Sequence, residues 1–125
     1  MRKLCLLLAI WGAFMCFSLV SCEKEPKPYD NSELEYTGWE VDISEELKSV
    51  IEFSDVRVWI SEKGINDNQA IRYQAGSYKL RGTNIEFSFN ESWNYDTDVS
   101  NAMPLSATLE GNKLFYNNLE YRKVR

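Results

Sequence analysis

The feature that most constrains the fold is an alternation of apolar and polar residues that recurs along the chain from Leu34 onward. Ile85, Phe87 and Phe89 lie at every second position, as do Val58 and Ile60. A period of two is typical of a β-strand with one buried face. Because the pattern recurs along the chain, it predicts an all-β domain.

Turn signals divide this part of the chain into short segments. Arg81-Gly-Thr83 and Glu110-Gly-Asn112 are typical of tight hairpins. Nine segments, two of them contiguous, predict about eight strands: 34–43, 50–53, 56–60, 71–75, 76–82, 84–89, 105–109, 113–116 and 119–124. We expect a small antiparallel up-and-down β-barrel, with a β-sandwich as the alternative. One helical turn over 44–49, capped by Ser44, and one long loop over 90–103 interrupt the strands.

The N-terminus has the three parts of an export signal. Arg2 and Lys3 precede an apolar run from Leu4 to Val20. The run approaches the ~20 residues of a membrane-spanning helix, which is the alternative. Leu19-Val-Ser-Cys22 resembles the lipobox of bacterial lipoproteins. That resemblance implies cleavage before Cys22, a diacylglycerol group on its sulfur and a further acyl chain, such as palmitate, on its amino group.

This interpretation divides the chain into a signal peptide (1–21), a lipidated Cys22 with a flexible tether (22–33) and the barrel domain (34–125). Two or more acyl chains hold a protein stably on a membrane, so we expect a domain anchored to the membrane rather than spanning it. The resemblance implies a bacterial cell envelope, with the outer membrane as the expected site and its surface or periplasmic face as alternatives. Glu23-Lys-Glu25 is similar to a surface-display signal and favours the outer face.

A second resemblance concerns the domain itself. Gly76-Ser-Tyr-Lys-Leu-Arg-Gly-Thr-Asn-Ile85, followed by Gly111-Asn-Lys-Leu114 and Tyr121-Arg-Lys-Val124, resembles the small lipocalin-like domains of bacterial lipoproteins. Lipocalins carry a Trp on the first strand that an Arg of the last strand covers. The resemblance therefore implies a cation–π contact between Arg122 and Trp39.

The residue types present argue against catalysis and against nucleic acid. The chain contains no His, and loss of the signal leaves Cys22 as its single Cys, so catalysis by a His-assisted Ser or Cys is excluded. The chain has a net charge of −5, and loss of Arg2 and Lys3 with the signal lowers this to −7. Such a charge disfavours a nucleic-acid partner. We expect no cofactor and no enzyme.

The predicted loop supplies the candidate site residues. Trp93 and Tyr95 are candidates for ligand binding, either by stacking on a sugar or partner protein or by covering the barrel mouth. Alternating oxygen side chains that include Asp96 and Asp98 give a calcium alternative, although the mid-loop Gly and terminal Glu of calcium loops are missing. Asx-turns explain the same residues without a metal, so no metal site is predicted.

These observations predict a non-catalytic binding or interaction module. The expected partners are the membrane, through the lipid anchor, and a small apolar ligand, a glycan or a surface protein. The alternative is a structural or accessory subunit, or an inhibitor, in a cell-surface complex. An internal pocket would indicate ligand carriage, whereas an exposed apolar patch near Trp59 or Trp93 would indicate recognition at the surface.

Overall fold

The computed structural model describes residues 28–125, which form a closed barrel of eight antiparallel strands. Each strand pairs with the next along the chain, and β8 pairs with β1. The predicted up-and-down barrel is confirmed, and the β-sandwich alternative is wrong. The elements are β1 (Gly38–Asp42), β2 (Leu47–Phe53), β3 (Arg57–Gly64), β4 (Ala70–Arg81), β5 (Asn84–Trp93), α1 (Thr97–Asn101), β6 (Ser106–Glu110), β7 (Lys113–Tyr116) and β8 (Leu119–Lys123).

The barrel interior is packed with side chains from every strand. The rings of Phe53 and Tyr78 meet edge to face with centroids 4.7 Å apart. Those of Phe87 and Tyr116 are nearly perpendicular at 5.3 Å. An eight-stranded barrel is just wide enough for its own side chains to fill. The buried core consists of Leu34, Trp39, Ile51, Phe53, Val58, Ile60, Tyr78, Leu80, Ile85, Phe87, Ala107, Leu109, Leu114, Tyr116 and Tyr121.

Because the strands run up and down, their connections gather at two ends of the barrel. The base carries the connections 54–56, 82–83 and 111–112, and the rim carries 43–46, 65–69, 94–105 and 117–118. The predicted turns at 81–83 and 110–112 are confirmed. Gly82 and Gly111 adopt φ of 63° and 62°, a region that glycine enters without steric cost.

The segment before β1 covers the base. Leu34 is 0% exposed. Thr37 links the segment to the core, because its hydroxyl donates to the Leu34 carbonyl (2.7 Å) and accepts from the indole N–H of Trp39 (2.9 Å). The predicted first strand, 34–43, therefore begins only at Gly38, after a series of turns.

The predicted helical turn over 44–49 is wrong. Ser44 Oγ accepts from the main-chain N–H groups of Glu46 (3.2 Å) and Leu47 (3.1 Å), as a helix cap would. The bonds instead close the β1–β2 hairpin, in which Asp42 pairs with Lys48. This register leaves too few residues for a helix, and Leu47 already belongs to β2.

The predicted contact between Trp39 and Arg122 is also wrong. β1 and β8 are neighbours, with Glu40 opposite Arg122. However, Trp39 and Tyr121 are buried inside the barrel, so strand alternation places Arg122 on the outer wall, where it is exposed. The two side chains lie on opposite faces of the sheet.

The predicted signal peptide and Cys22 lie outside the described residues. Within 28–125, no helix is long and apolar enough to cross a membrane.

Candidate binding surface

A β-bulge in β5 decides which way its last side chains point. The register between β4 and β5 shifts after Phe89, so that Asn90 is an extra residue in β5. Phe89 packs against the core, and strict alternation from it would send Trp93 into the barrel. The extra residue reverses the alternation, because the side-chain period of a strand is two. Trp93 therefore lies on the outer wall, 49% exposed.

Three aromatic side chains on neighbouring strands form what we call the aromatic platform: Trp59 on β3, Tyr73 on β4 and Trp93 on β5. Tyr73 lies opposite Trp93, with ring centroids 6.0 Å apart and ring planes 26° from parallel. Trp59 lies opposite Ala75, which is fully buried although it is on the outer wall. The platform is thus an apolar surface on the outside of the barrel.

A charged network holds one edge of the platform. The carboxylate of Glu91 accepts from the Tyr73 hydroxyl (2.9 Å) and from the guanidinium of Arg57 (3.2 Å). The hydrogen bond to Glu91 raises the pKa of Tyr73. The Arg57 guanidinium also lies 5.5 Å from the ring centroid of Trp59. An exposed ion pair adds little stability, so the consequence of the network is that it orients these groups.

A cleft adjoins the platform where β5 separates from β6. Strand pairing ends at Glu86, opposite Ser106, and one further bond joins the Phe87 N–H to the Leu105 carbonyl (2.9 Å). Beyond it, β5 and Asn101 of α1 border a cleft. The cleft has a volume of about 430 Å³ and is open to solvent. Its lining includes Phe89, Asn90, Glu91, Asn101 and Leu105. Glu91 thus borders both the platform and the cleft.

Tyr95 folds over the rim and has a different role from Trp93. Its hydroxyl donates to one carboxylate oxygen of Glu62 (3.4 Å), and Arg72 donates to the other (2.9 Å). The Arg72 guanidinium lies 5.5 Å from the Tyr95 ring centroid. Burial, followed by the charge of Glu62, raises the pKa of Tyr95 to about 12. Tyr95 therefore lies half-buried as a cover over the rim.

The structure separates the two residues that sequence reasoning grouped. The predicted long loop over 90–103 is wrong, because β5 continues to Trp93 and α1 spans Thr97–Asn101. Tyr95 covers the rim, as the second alternative predicted, whereas Trp93 faces solvent, and its stacking on a sugar or partner protein stays a prediction. Sequence reasoning did not identify Tyr73, whose place beside Trp93 depends on the bulge.

The calcium alternative receives no support from the geometry. Asp96 and Asp98 are exposed, and Asp98 lies in the first turn of α1, where a negative charge is favourable. Among residues 28–125, no group of three or more His, Cys, Asp or Glu side chains is placed to hold a metal ion.

Comparison of the chain with protein-family models, with curated proteins and with solved structures finds no match.

Proposed function

We propose that this chain is a lipid-anchored, non-catalytic module of a bacterial cell envelope that recognises carbohydrate on the outer wall of its barrel. The observation that carries recognition is the half-exposed Trp93, nearly parallel to Tyr73 and next to the oriented carboxylate of Glu91. The anchor rests on the lipobox-like end of the apolar run before Cys22. The absence of His from the sequence supports a role without catalysis.

The packed interior favours the outer wall over the barrel lumen as the binding surface. Large aromatic side chains fill the core, Leu34 covers the base and Tyr95 covers the rim. A small apolar ligand would have to displace this packing. Recognition at the surface requires an apolar patch that faces solvent, and the outer wall offers one in the half-buried Trp59 and the half-exposed Trp93.

Carbohydrate fits the platform because a sugar ring has an apolar C–H face and a hydroxyl-bearing edge. The face can lie on an aromatic ring, and the edge can bond to a neighbouring carboxylate or amide. Glu91 and Arg57 supply charged partners at the platform edge, and Asn90 and Asn101 supply amides in the adjoining cleft. A bound oligosaccharide could therefore extend from the platform into the cleft.

Recognition is tested by titrating the purified lipoprotein with a panel of oligosaccharides from bacterial and animal cell surfaces. Trp93→Ala should weaken binding of the best ligand by about tenfold, which corresponds to about 1.4 kcal/mol. Val124→Ala is the control, because Val124 is 48% exposed but lies beyond β8 at the base. Equal losses in both variants would refute the platform. Capture of a protein in a Trp93-dependent way, with no oligosaccharide bound, would refute carbohydrate as the ligand.

The anchor is tested separately by growing the producing bacterium with radiolabelled fatty acid. Label should appear on the wild-type chain and be absent from Cys22→Ser. Incorporation into neither protein, or equally into both, would refute lipidation at Cys22.

A further inference from the structure

The N-terminal segment enters the barrel at a fixed place on its base. β3 begins at Arg57, opposite Ser77 of β4, so the edge of β4 beyond Ser77 has no strand of the barrel on that side. Residues before β1 take this position. The N–H of Asp30 donates to the Leu80 carbonyl (2.8 Å), and Asn31 Oδ1 accepts from the Leu80 N–H (2.8 Å).

Tyr29 clamps the chain one residue earlier. Its ring lies 3.9 Å from the guanidinium carbon of Arg81 and 5.1 Å from the ammonium nitrogen of Lys79. Its hydroxyl bonds to the Glu86 carboxylate at 3.0 and 3.2 Å. Pro28 borders the same shallow cleft as Gly82, which is in the β4–β5 turn. The described chain therefore begins at the base, and residues 29–33, predicted as tether, lie on the barrel.

The length of chain before this point limits where a lipid on Cys22 can be. Six Cα–Cα steps join Cys22 to Pro28, and a fully extended chain of this length reaches at most ~21 Å. β4 has 12 residues. At about 3.3 Å per residue and a strand tilt of about 40°, it spans about 30 Å along the barrel axis. An anchor at Cys22 therefore cannot extend from the base to the rim.

The charges at the two ends of the barrel also favour the base as the end that faces the lipid. The rim connections contain no Lys or Arg and carry the acidic residues Glu45, Glu46, Asp67, Asp96 and Asp98. The strand ends beside them add the acids Asp42 and Glu120 and the basic residues Lys48 and Lys63, so the rim stays strongly acidic. The base is close to neutral, because its acids Asp30, Glu33, Glu35, Glu52, Asp55 and Glu110 are balanced by the basic residues Arg57, Arg81, Lys113, Arg122, Lys123 and Arg125. An anionic lipid surface therefore repels the rim more strongly than the base.

We infer that the base of the barrel docks against the headgroups of an anionic lipid surface, with the rim and Trp93 directed away from it. This inference rests on the proposed lipid anchor at Cys22. The Tyr29 clamp leaves a short length of sequence between the barrel and Cys22, and this short length holds the base at the lipid. Trp93, the last residue of β5, lies at the rim end of its strand and stays accessible to a ligand outside the membrane.

The orientation is tested with the full chain, produced in a bacterium that lipidates it. Glu45→Cys places a single label site in an exposed rim connection, and Asn112→Cys places one in an exposed base turn. Each variant is labelled with a fluorophore and reconstituted into vesicles of phosphatidylethanolamine and phosphatidylglycerol that contain spin-labelled headgroups. Quenching should be several-fold stronger at 112 than at 45. Equal quenching, or stronger quenching at 45, would overturn the inference.

The clamp has its own test, and the anchor is checked on the same samples. Tyr29→Ala should reduce the difference in quenching between the two labels, whereas Tyr29→Phe, which keeps the ring over Arg81, should retain more of it. No change in Tyr29→Ala would overturn the role of the clamp. Protein without fatty acid on Cys22 would overturn the anchor and the orientation together. Fatty acid on Cys22 with equal quenching would overturn the orientation alone.

Discussion

Leu34 should make a large contribution to stability, because it covers the base from a segment outside the strands. Its side chain is 0% exposed. Leu34→Ala leaves one methyl group, and at about 0.8 kcal/mol per methylene-sized group the lost transfer free energy is about 2.4 kcal/mol. The cavity left behind adds to this, so we expect about 3–4 kcal/mol in total. For a domain of this size the melting temperature should fall by about 15–20 °C.

Urea denaturation followed by tryptophan fluorescence measures this loss. Trp39 reports on the site, because Thr37 bonds to both its indole and the Leu34 carbonyl. Leu105→Ala is the matched control, since Leu105 is 61% exposed and the same change there should cost less than about 0.5 kcal/mol. Similar losses in the two variants would show that the segment before β1 is not part of the core.

Three further predictions concern close packing, a buried hydrogen bond and pH. Gly76→Ala should lower the free energy of unfolding, measured by urea denaturation, by about 3 kcal/mol or more, because the new Cβ would overlap the main-chain oxygen of Ser88. Gly111→Ala should lower it by about 1 kcal/mol, because Gly111 has a φ of 62° but open space around it. Ser49→Ala should cost about 1–3 kcal/mol by leaving the buried Tyr121 hydroxyl without its 2.8 Å partner, and adding Tyr121→Phe should recover part of the loss. Folding raises the pKa of Tyr95 from 10.0 to about 12. Between these two pH values the folded protein therefore keeps the Tyr95 proton, whereas the unfolded chain loses it. The stabilisation is complete below pH 10 and lost as the pH rises through about 12, so Tyr95→Phe should flatten the decline of the urea midpoint over this range. Equal costs at the two glycines, no recovery in the double variant or an unchanged decline in Tyr95→Phe would contradict the respective prediction.

Local sequence patterns were sufficient to predict strands that a short turn joins, because such a turn fixes how the two strands pair. The Gly111-Asn112 turn joins β6 to β7, and the sequence predicts both strands to within a residue. The helical turn predicted from Ser44 was wrong because the same side-chain bonds to the following N–H groups occur in hairpins as well as at helix N-termini. Arg122 is next to the buried Tyr121, so strand alternation places it on the outer wall, whereas Trp39 points into the barrel. Counting positions along β8 would therefore have excluded a contact between Arg122 and Trp39.

Long-range register was not predictable from local patterns. The outward position of Trp93 depends on one extra residue, Asn90, opposite β4, and Tyr73 reaches Trp93 only through that shift. Tyr29 lies in a stretch of charged residues and prolines that is typical of a tether. Its clamp on Arg81 and Glu86 depends on the folded β4–β5 hairpin, which a local pattern does not reveal.

Fluorine NMR of protein labelled with 5-fluorotryptophan tests most directly whether recognition occurs on the outer wall. In the mature chain that the proposed cleavage before Cys22 would produce, Trp39 is inside the barrel and Trp59 and Trp93 are on the platform. Titration with a binding oligosaccharide should shift the Trp93 and Trp59 signals and leave the Trp39 signal in place. A shift of Trp39 with both platform signals unmoved would place the ligand in the lumen and contradict the proposed binding surface.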